Sequence, residues 1–139
     1  MGTDFDGTAL LYCEGSLAHP TGKTAHGLLR HTARYRVAGV LDSSCAGKEA
    51  RDIVHGAREG IPIYADLRAA LDGCRARNLP ATHLVVGLAP DGGRLPRPAR
   101  EVLEVALREG LHLVAGLHDW LVDDPKLVAL AREHGVTLY

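Results

Sequence analysis

Three cysteines are all the chain has, Cys13, Cys45 and Cys74, and no two of them form a C-x-x-C pair. Their spacing gives no disulfide framework and no cysteine-ligated zinc site, and reads as the reduced thiols of a cytoplasmic protein. Long apolar runs are missing too: none approaches the roughly 20 residues that cross a bilayer, so no membrane association is expected. The opening MGTDFDGT lacks the basic and apolar regions of a secretory signal. An excess of charge of either sign is also absent. The net charge is −1, with both signs mixed along the chain, which argues against a nucleic-acid partner held by bulk electrostatics. Lysine is scarce, at 3 against 13 arginines, a balance that with the abundant Ala and Gly suggests a GC-rich bacterial coding sequence. What is there is enough for one core: 139 residues, 46% of them hydrophobic, read as a single domain over 1–139.

Short apolar runs alternate with helical stripes along the whole length. The candidate strands are Thr8–Cys13, Arg36–Asp42, Ile61–Tyr64, Thr82–Leu88, Leu111–Gly116 and Val136–Tyr139. Between them, Leu67, Ala70, Leu71 and Cys74 follow helix spacing behind a capping Asp66. Ala99, Val102, Leu103, Ala106 and Leu107 repeat that stripe, with Gly110 as the stop. Asp124-Pro125 reads as an N-cap followed by proline in the first turn, opening a last helix that Gly135 ends. Shorter helices are expected after Lys23 and after Gly47. The pattern predicts an α/β, Rossmann-like, doubly wound fold with a mainly parallel six-stranded sheet in the order 3-2-1-4-5-6. Pro62 in the third strand agrees with that order, because it places the third strand at an edge. The loops that begin at Glu14 and Leu88 should then face each other across a crevice. The sixth strand would be the other edge, and such an edge calls for cover by further chain or a partner subunit.

The first loop runs from Glu14 to the sequence Gly22-Lys23-Thr24, which looks like a phosphate-binding loop. A Walker A loop needs a glycine five residues before its Gly-Lys pair, and that position holds Leu17. Gly15 comes two residues too early, and Pro20 removes an N–H from any phosphate cradle. What remains is a loop at the end of a strand, where Lys23, Thr24 and nearby N–H groups could meet an anion. Equally, Thr21 could cap the helix and Lys23 be solvated. The nicotinamide-dinucleotide fingerprint G-x-G-x-x-G does not follow Gly15.

The second strand ends in Asp42-Ser43-Ser44, where an acidic residue could take a ribose hydroxyl or cap its own loop. The fourth loop, Gly87 to Pro96, is rich in glycine and proline, Pro90 among them, and its Asp91-Gly92-Gly93 permits close approach of a ligand to backbone, or forms a stiff turn. His118 follows the fifth strand beside Asp119, but adjacent residues cannot orient each other as a triad does. The eight histidines show no metal-ligand spacing. The candidate ligand contacts are therefore Glu14, Gly15, Lys23, Thr24, Asp42, Ser43, Pro90, Gly92, Gly93 and His118, with no metal expected and no catalytic nucleophile or base identified.

Several segments together resemble the N-terminal Rossmann-like domain of the bacterial and archaeal family called domain of unknown function 1611. They are Glu14-Gly15, Lys23-Thr24-Ala25 with Gly27, VLDSSCAGK from Val40, GIPI from Gly60, VVGLAPDGGRLP from Val85, and GLHDWLVDDP from Gly116. The resemblance covers nearly the whole chain, and its segments are specific only jointly. It implies a second, C-terminal domain with a true P-loop, before which this chain would end. It also implies a role in amino-acid metabolism, including N-acetylation of D-glutamate with acetyl-CoA. A weaker similarity from Gly60 to Leu138 points to CoA-binding domains of acyl-CoA ligases. The resulting expectation is a ligand-binding domain of a two-domain enzyme dependent on acyl-CoA or a nucleotide, not catalytic alone. Its partners would be the C-terminal P-loop domain or a partner subunit, and it would form a homo-oligomer. An interaction or dimerisation module is the alternative, and a CoA- or NAD-binding domain a further one.

Overall fold

A computed structural model describes residues 5–88, 95–115 and 121–139. The apolar runs become five strands: β1 (Gly7–Tyr12), β2 (Tyr35–Leu41), β3 (Ile63–Tyr64), β4 (His83–Val86) and β5 (His112–Val114). Four helices separate or follow them: α1 (Lys23–Arg30), α2 (Leu67–Ala76), α3 (Arg97–Arg108) and α4 (Pro125–His134). The sheet is parallel in every pairing and ordered β3-β2-β1-β4-β5. Each crossover is long enough for the parallel connection such a sheet requires. The central strands β1 and β4 are apolar on both faces and buried: Ala9, Leu10, Leu11, Leu84, Val85 and Val86 form the middle of the core. Pro62 precedes β3, which is an edge strand as expected.

The caps read from the sequence are in place. Asp66 accepts from Ala69 N at 2.8 Å, and Asp124 accepts from Lys126 N and Leu127 N. Gly135 takes the left-handed conformation at φ 66°, and Val136 N closes back on Ala131 O at 2.9 Å. Leu67, Ala70, Leu71 and Cys74 of α2, and Ala99, Leu103, Ala106 and Leu107 of α3, are buried as their spacing implies.

Three expectations are corrected. The sixth strand is reduced to a single parallel bridge, Leu113 to Leu138, so the sheet has five strands among the described residues. The segment does run along β5, with Leu113 N donating to Thr137 O, Tyr139 N to Leu113 O and Ala115 N to Tyr139 O. But Val136 closes the end of α4 and Thr137 N donates to His112 Nδ1 at 3.0 Å, so the paired run is short. The helix after Gly47 is replaced by 3-10 turns at Ser43–Cys45 and Ala50–Asp52. There the backbone pairs with the run into β3 instead of with itself: Gly47 N to Ile63 O, Ile63 N to Lys48 O and Ala50 N to Ile61 O. Finally, Thr21 does not cap α1. The N-cap is Gly22, with no side-chain cap, and a 3-10 turn (Pro20–Gly22) leads into the helix.

Candidate functional site

The parallel order brings the loops after β1, β2, β3 and β4 to one rim. At its centre is Asp42, fully buried behind the end of β2. Its carboxylate accepts from Gly15 N at 3.1 Å, Leu17 N at 3.0 Å, Ser44 N at 3.0 Å and the Ser44 hydroxyl at 2.6 Å. Burial alone would raise its pKa, but the Ser44 hydroxyl and the N–H groups of Leu17, Gly15 and Ser44 hold it below the ordinary carboxylate value. Asp42 thus locks the first loop to the second. Its charge is felt by its neighbours: burial, then Asp42, pushes the Cys13 thiol up to about 12, and burial with Glu14 and Asp42 pushes Tyr12 to about 12. Neither group is a nucleophile at neutral pH.

The start of α1 is docked against the end of β4. Ala25 N donates to Gly87 O at 3.0 Å, Gly87 N donates to Tyr12 O at 2.8 Å, and His26 Nε2 lies 2.6 Å from Leu17 O. A Cβ at Gly22 would collide with the Ser16 carbonyl, and one at Gly87 would lie 2.8 Å from the Ala25 methyl. Both glycines are therefore there for close packing. The N–H groups of Gly15, Leu17 and Ala25, which could have met a phosphate, are bonded within the protein. Lys23 and Thr24 are exposed on the first turn of α1, and their side chains have no polar partner among the described residues.

Open space lies instead beside the first turns of α2 and α3. A cleft of about 150 Å³ is lined by Tyr12, Glu14, Leu41, Asp66, Pro98 and Val102, among others. It adjoins an apolar groove of about 290 Å³ along Leu67, Val102 and Val105, edged by Arg68 and Glu101. Glu14 is held by Ser43, whose N–H and hydroxyl donate to Glu14 Oε1 at 2.7 and 2.8 Å. Asp66 uses Oδ1 for its cap. Each carboxylate keeps its second oxygen without a partner among the described residues. Chemically the cleft combines apolar walls with two acceptors, a setting for an amine next to a hydrophobic group.

Of the residues selected from the sequence, the structure brings together Glu14, Gly15, Asp42 and Ser43, with Lys23 and Thr24 at the same rim. Pro90, Gly92, Gly93 and His118 lie outside the described residues. Sequence reasoning did not select Leu41, Asp66, Pro98 or Val102 for the site. Asp66 carried a signal, as a cap just after the third strand, but reads in the sequence only as a helix start; Pro98, in the first turn of α3, is not singled out there. No group of three or more His, Cys, Asp or Glu able to hold a metal occurs among the described residues.

A family model described as a domain of unknown function (DUF1611_N), a Rossmann-like domain, matches residues 43–139. A D-glutamate N-acetyltransferase of Tritonibacter scottomollicae is 34% identical over 102 residues, 65% of this chain and 31% of that protein. One from a Pseudoalteromonas species is 35% identical over 65 residues, 47% of this chain and 20% of that protein. The aligned stretch thus spans a third or less of these curated relatives. A crystal structure of a DUF1611 family protein from Anabaena variabilis superposes with a TM-score of 0.83 at 32% identity, covering 96% of this chain and 36% of that one. Homoserine dehydrogenase of S. aureus superposes with a TM-score of 0.56 at 15% identity, over 95% of this chain and 32% of that one, a likeness of fold alone.

Proposed function

Because the chain belongs to the DUF1611 family through its N-terminal Rossmann-like domain, we propose that it forms one wall of the substrate site of an N-acyltransferase acting on an acidic amino acid. The observation that carries this reading is the cleft at the ends of β1 and β2, where Glu14 and Asp66 each hold an acceptor oxygen beside an apolar groove. The relatives named D-glutamate N-acetyltransferase supply the reaction class. Acyl transfer to an amine requires the amine as its free base, and a carboxylate at its side can take the ammonium proton. The amine then attacks the thioester carbonyl and the C–N bond forms. The C–S bond breaks to release thiolate, and the proton the nitrogen sheds as it becomes an amide goes to that thiolate, directly or through the carboxylate. In this reading Glu14, oriented by Ser43, holds the amine, the apolar groove takes the acyl donor, and Lys23 meets a substrate carboxylate from the same rim.

A dinucleotide at the crevice between β1 and β4 has less support. The N–H groups it would need are bonded to Asp42 and Gly87.

Isothermal titration of the 139-residue chain with acetyl-CoA, CoA, ATP and D-glutamate tests the reading. At least one should bind saturably, with affinity reduced about tenfold by Lys23→Ala or Glu14→Gln, the loss of one charge-assisted contact. Absence of binding by all four would overturn it.

A further inference from the structure

We propose that a second ligand site, for a small phosphate-bearing polyanion, lies at the opposite rim, where β2 begins. A cleft of about 250 Å³ opens there, with Arg36, Arg58 and Arg77 in its walls. The three arginines come from separate elements: Arg36 from β2, Arg58 from the loop before β3, and Arg77 from the C-cap of α2. None of them has a carboxylate within ion-pair distance among the described residues. Among the described residues the one acid in the walls, Glu59, is paired to Arg51 at 2.9 Å. All three arginines are exposed to solvent, and like charges lining one cleft make a positive field that attracts an anion.

The site is built, because its cations are held from behind. Arg77 donates to Ala38 O at 2.8 Å and to Gly60 O at 3.1 Å. Ala38 is the extra residue where the β1–β2 register slips, since Ala9 pairs with Val37 and Leu10 with Gly39. Arg36 lies over the Phe5 ring, 5.8 Å from its centroid, and Arg58 Nη2 is 3.4 Å from His31 Nδ1. Each guanidinium carries five donors, so these contacts leave N–H groups for a ligand. A planar carboxylate is satisfied by one guanidinium fork, whereas a phosphate offers oxygens in several directions. The remaining N–H groups of three guanidiniums, from three walls, match the phosphate.

The test is calorimetric titration of the chain with inorganic pyrophosphate at low salt, with glutarate as the dicarboxylate comparison. Pyrophosphate should bind saturably at one site, about tenfold more weakly in Arg36→Gln and in Arg58→Gln, as expected for one lost charge-assisted bond. Lys23→Ala, at the other rim, should leave that affinity unchanged. Glu59→Gln should tighten binding several-fold, and it decides the matter if circular dichroism shows an arginine variant to be unfolded. No saturable binding, affinity indifferent to the arginine variants and to Glu59→Gln, or loss in Lys23→Ala would overturn the proposal. Glutarate binding as tightly as pyrophosphate would overturn the phosphate assignment. Because CoA, acetyl-CoA and ATP also carry a diphosphate, any binding of theirs that is weakened by Arg36→Gln and kept in Lys23→Ala belongs to this second site, whereas a negative D-glutamate titration bears on the first site only.

Discussion

Asp42 is the residue on which the geometry of the carboxyl-end rim depends. A buried carboxylate with four donors is stable only as a set, because each donor would otherwise be left unpaired away from water. Asn at this position keeps one acceptor oxygen and turns an NH2 group toward a backbone N–H. Asp42→Asn should therefore cost about 3 kcal/mol, read as a lower urea midpoint with an unchanged slope. The pH dependence has a definite sign. Asp42 has a folded pKa below the ordinary 3.8, so its contribution is present above that value and is lost as pH falls through the folded pKa. The sequence marked Asp42 as a candidate because it ends a strand. It could not show that the partners would be Gly15 and Leu17, which lie 27 and 25 residues earlier.

Among the elements, α2 and α4 were legible almost to the residue, because their starts are written in adjacent positions. Asp66 and Asp124 cap the turn that immediately follows, and the apolar stripe behind each needs only its own register to be read. Asp124 does more than cap. Its Oδ2 also accepts from Arg100 Nη1 at 2.8 Å, tying α3 to the start of α4. Asp124→Ala should cost roughly 2 kcal/mol, above the ~1 kcal/mol of a simple cap, because a partly buried ion pair is lost with it. The combination Arg100→Ala with Asp124→Ala should cost less than the sum of the two, and chemical denaturation of the four proteins measures this. The segments after Gly47 and after Val136 were misread for one reason. After Gly47 the backbone bonds to the run into β3 instead of forming a helix, and after Val136 the run along β5 is cut short by the close of α4 and the His112 ring, neither of which local periodicity reports.

Across the whole molecule the two rims differ in chemistry. The carboxyl ends of the strands carry the acidic cleft with Glu14 and Asp66, and the amino ends carry arginines and a cluster of rings. In that cluster His83 is buried, 4.8 Å from the His112 ring and 5.3 Å from Tyr35, with Tyr139 at 6.2 Å. Burial, and then His112 and Arg34, lower the pKa of His83 from the ordinary 6.5, with Asp6 opposing. Below pH 6.5 the unfolded chain takes a proton at this histidine that the folded chain refuses, so stability declines as pH falls toward the folded value. Thermal midpoints should drop as pH falls below 6.5, and His83→Gln should flatten that slope even if it lowers the midpoint itself. An unchanged slope would remove His83 as the source.

By itself the sequence determined the order of the elements, the parallel sheet and the helix boundaries at Asp66, Asp124 and Gly135. Those depend on apolar spacing and on caps, and both act within a few residues of where they are written. Only the tertiary structure decided which polar groups meet. It joined Asp42 to the first loop, closed the β1–β4 crevice through Ala25 and Gly87, and opened a cleft beside Glu14 and Asp66. It also gathered Arg36, Arg58 and Arg77 from three separate elements. The physical reason is that such contacts join residues far apart in the chain, whose meeting depends on how the strands and helices pack and leaves no periodic trace in the residues themselves.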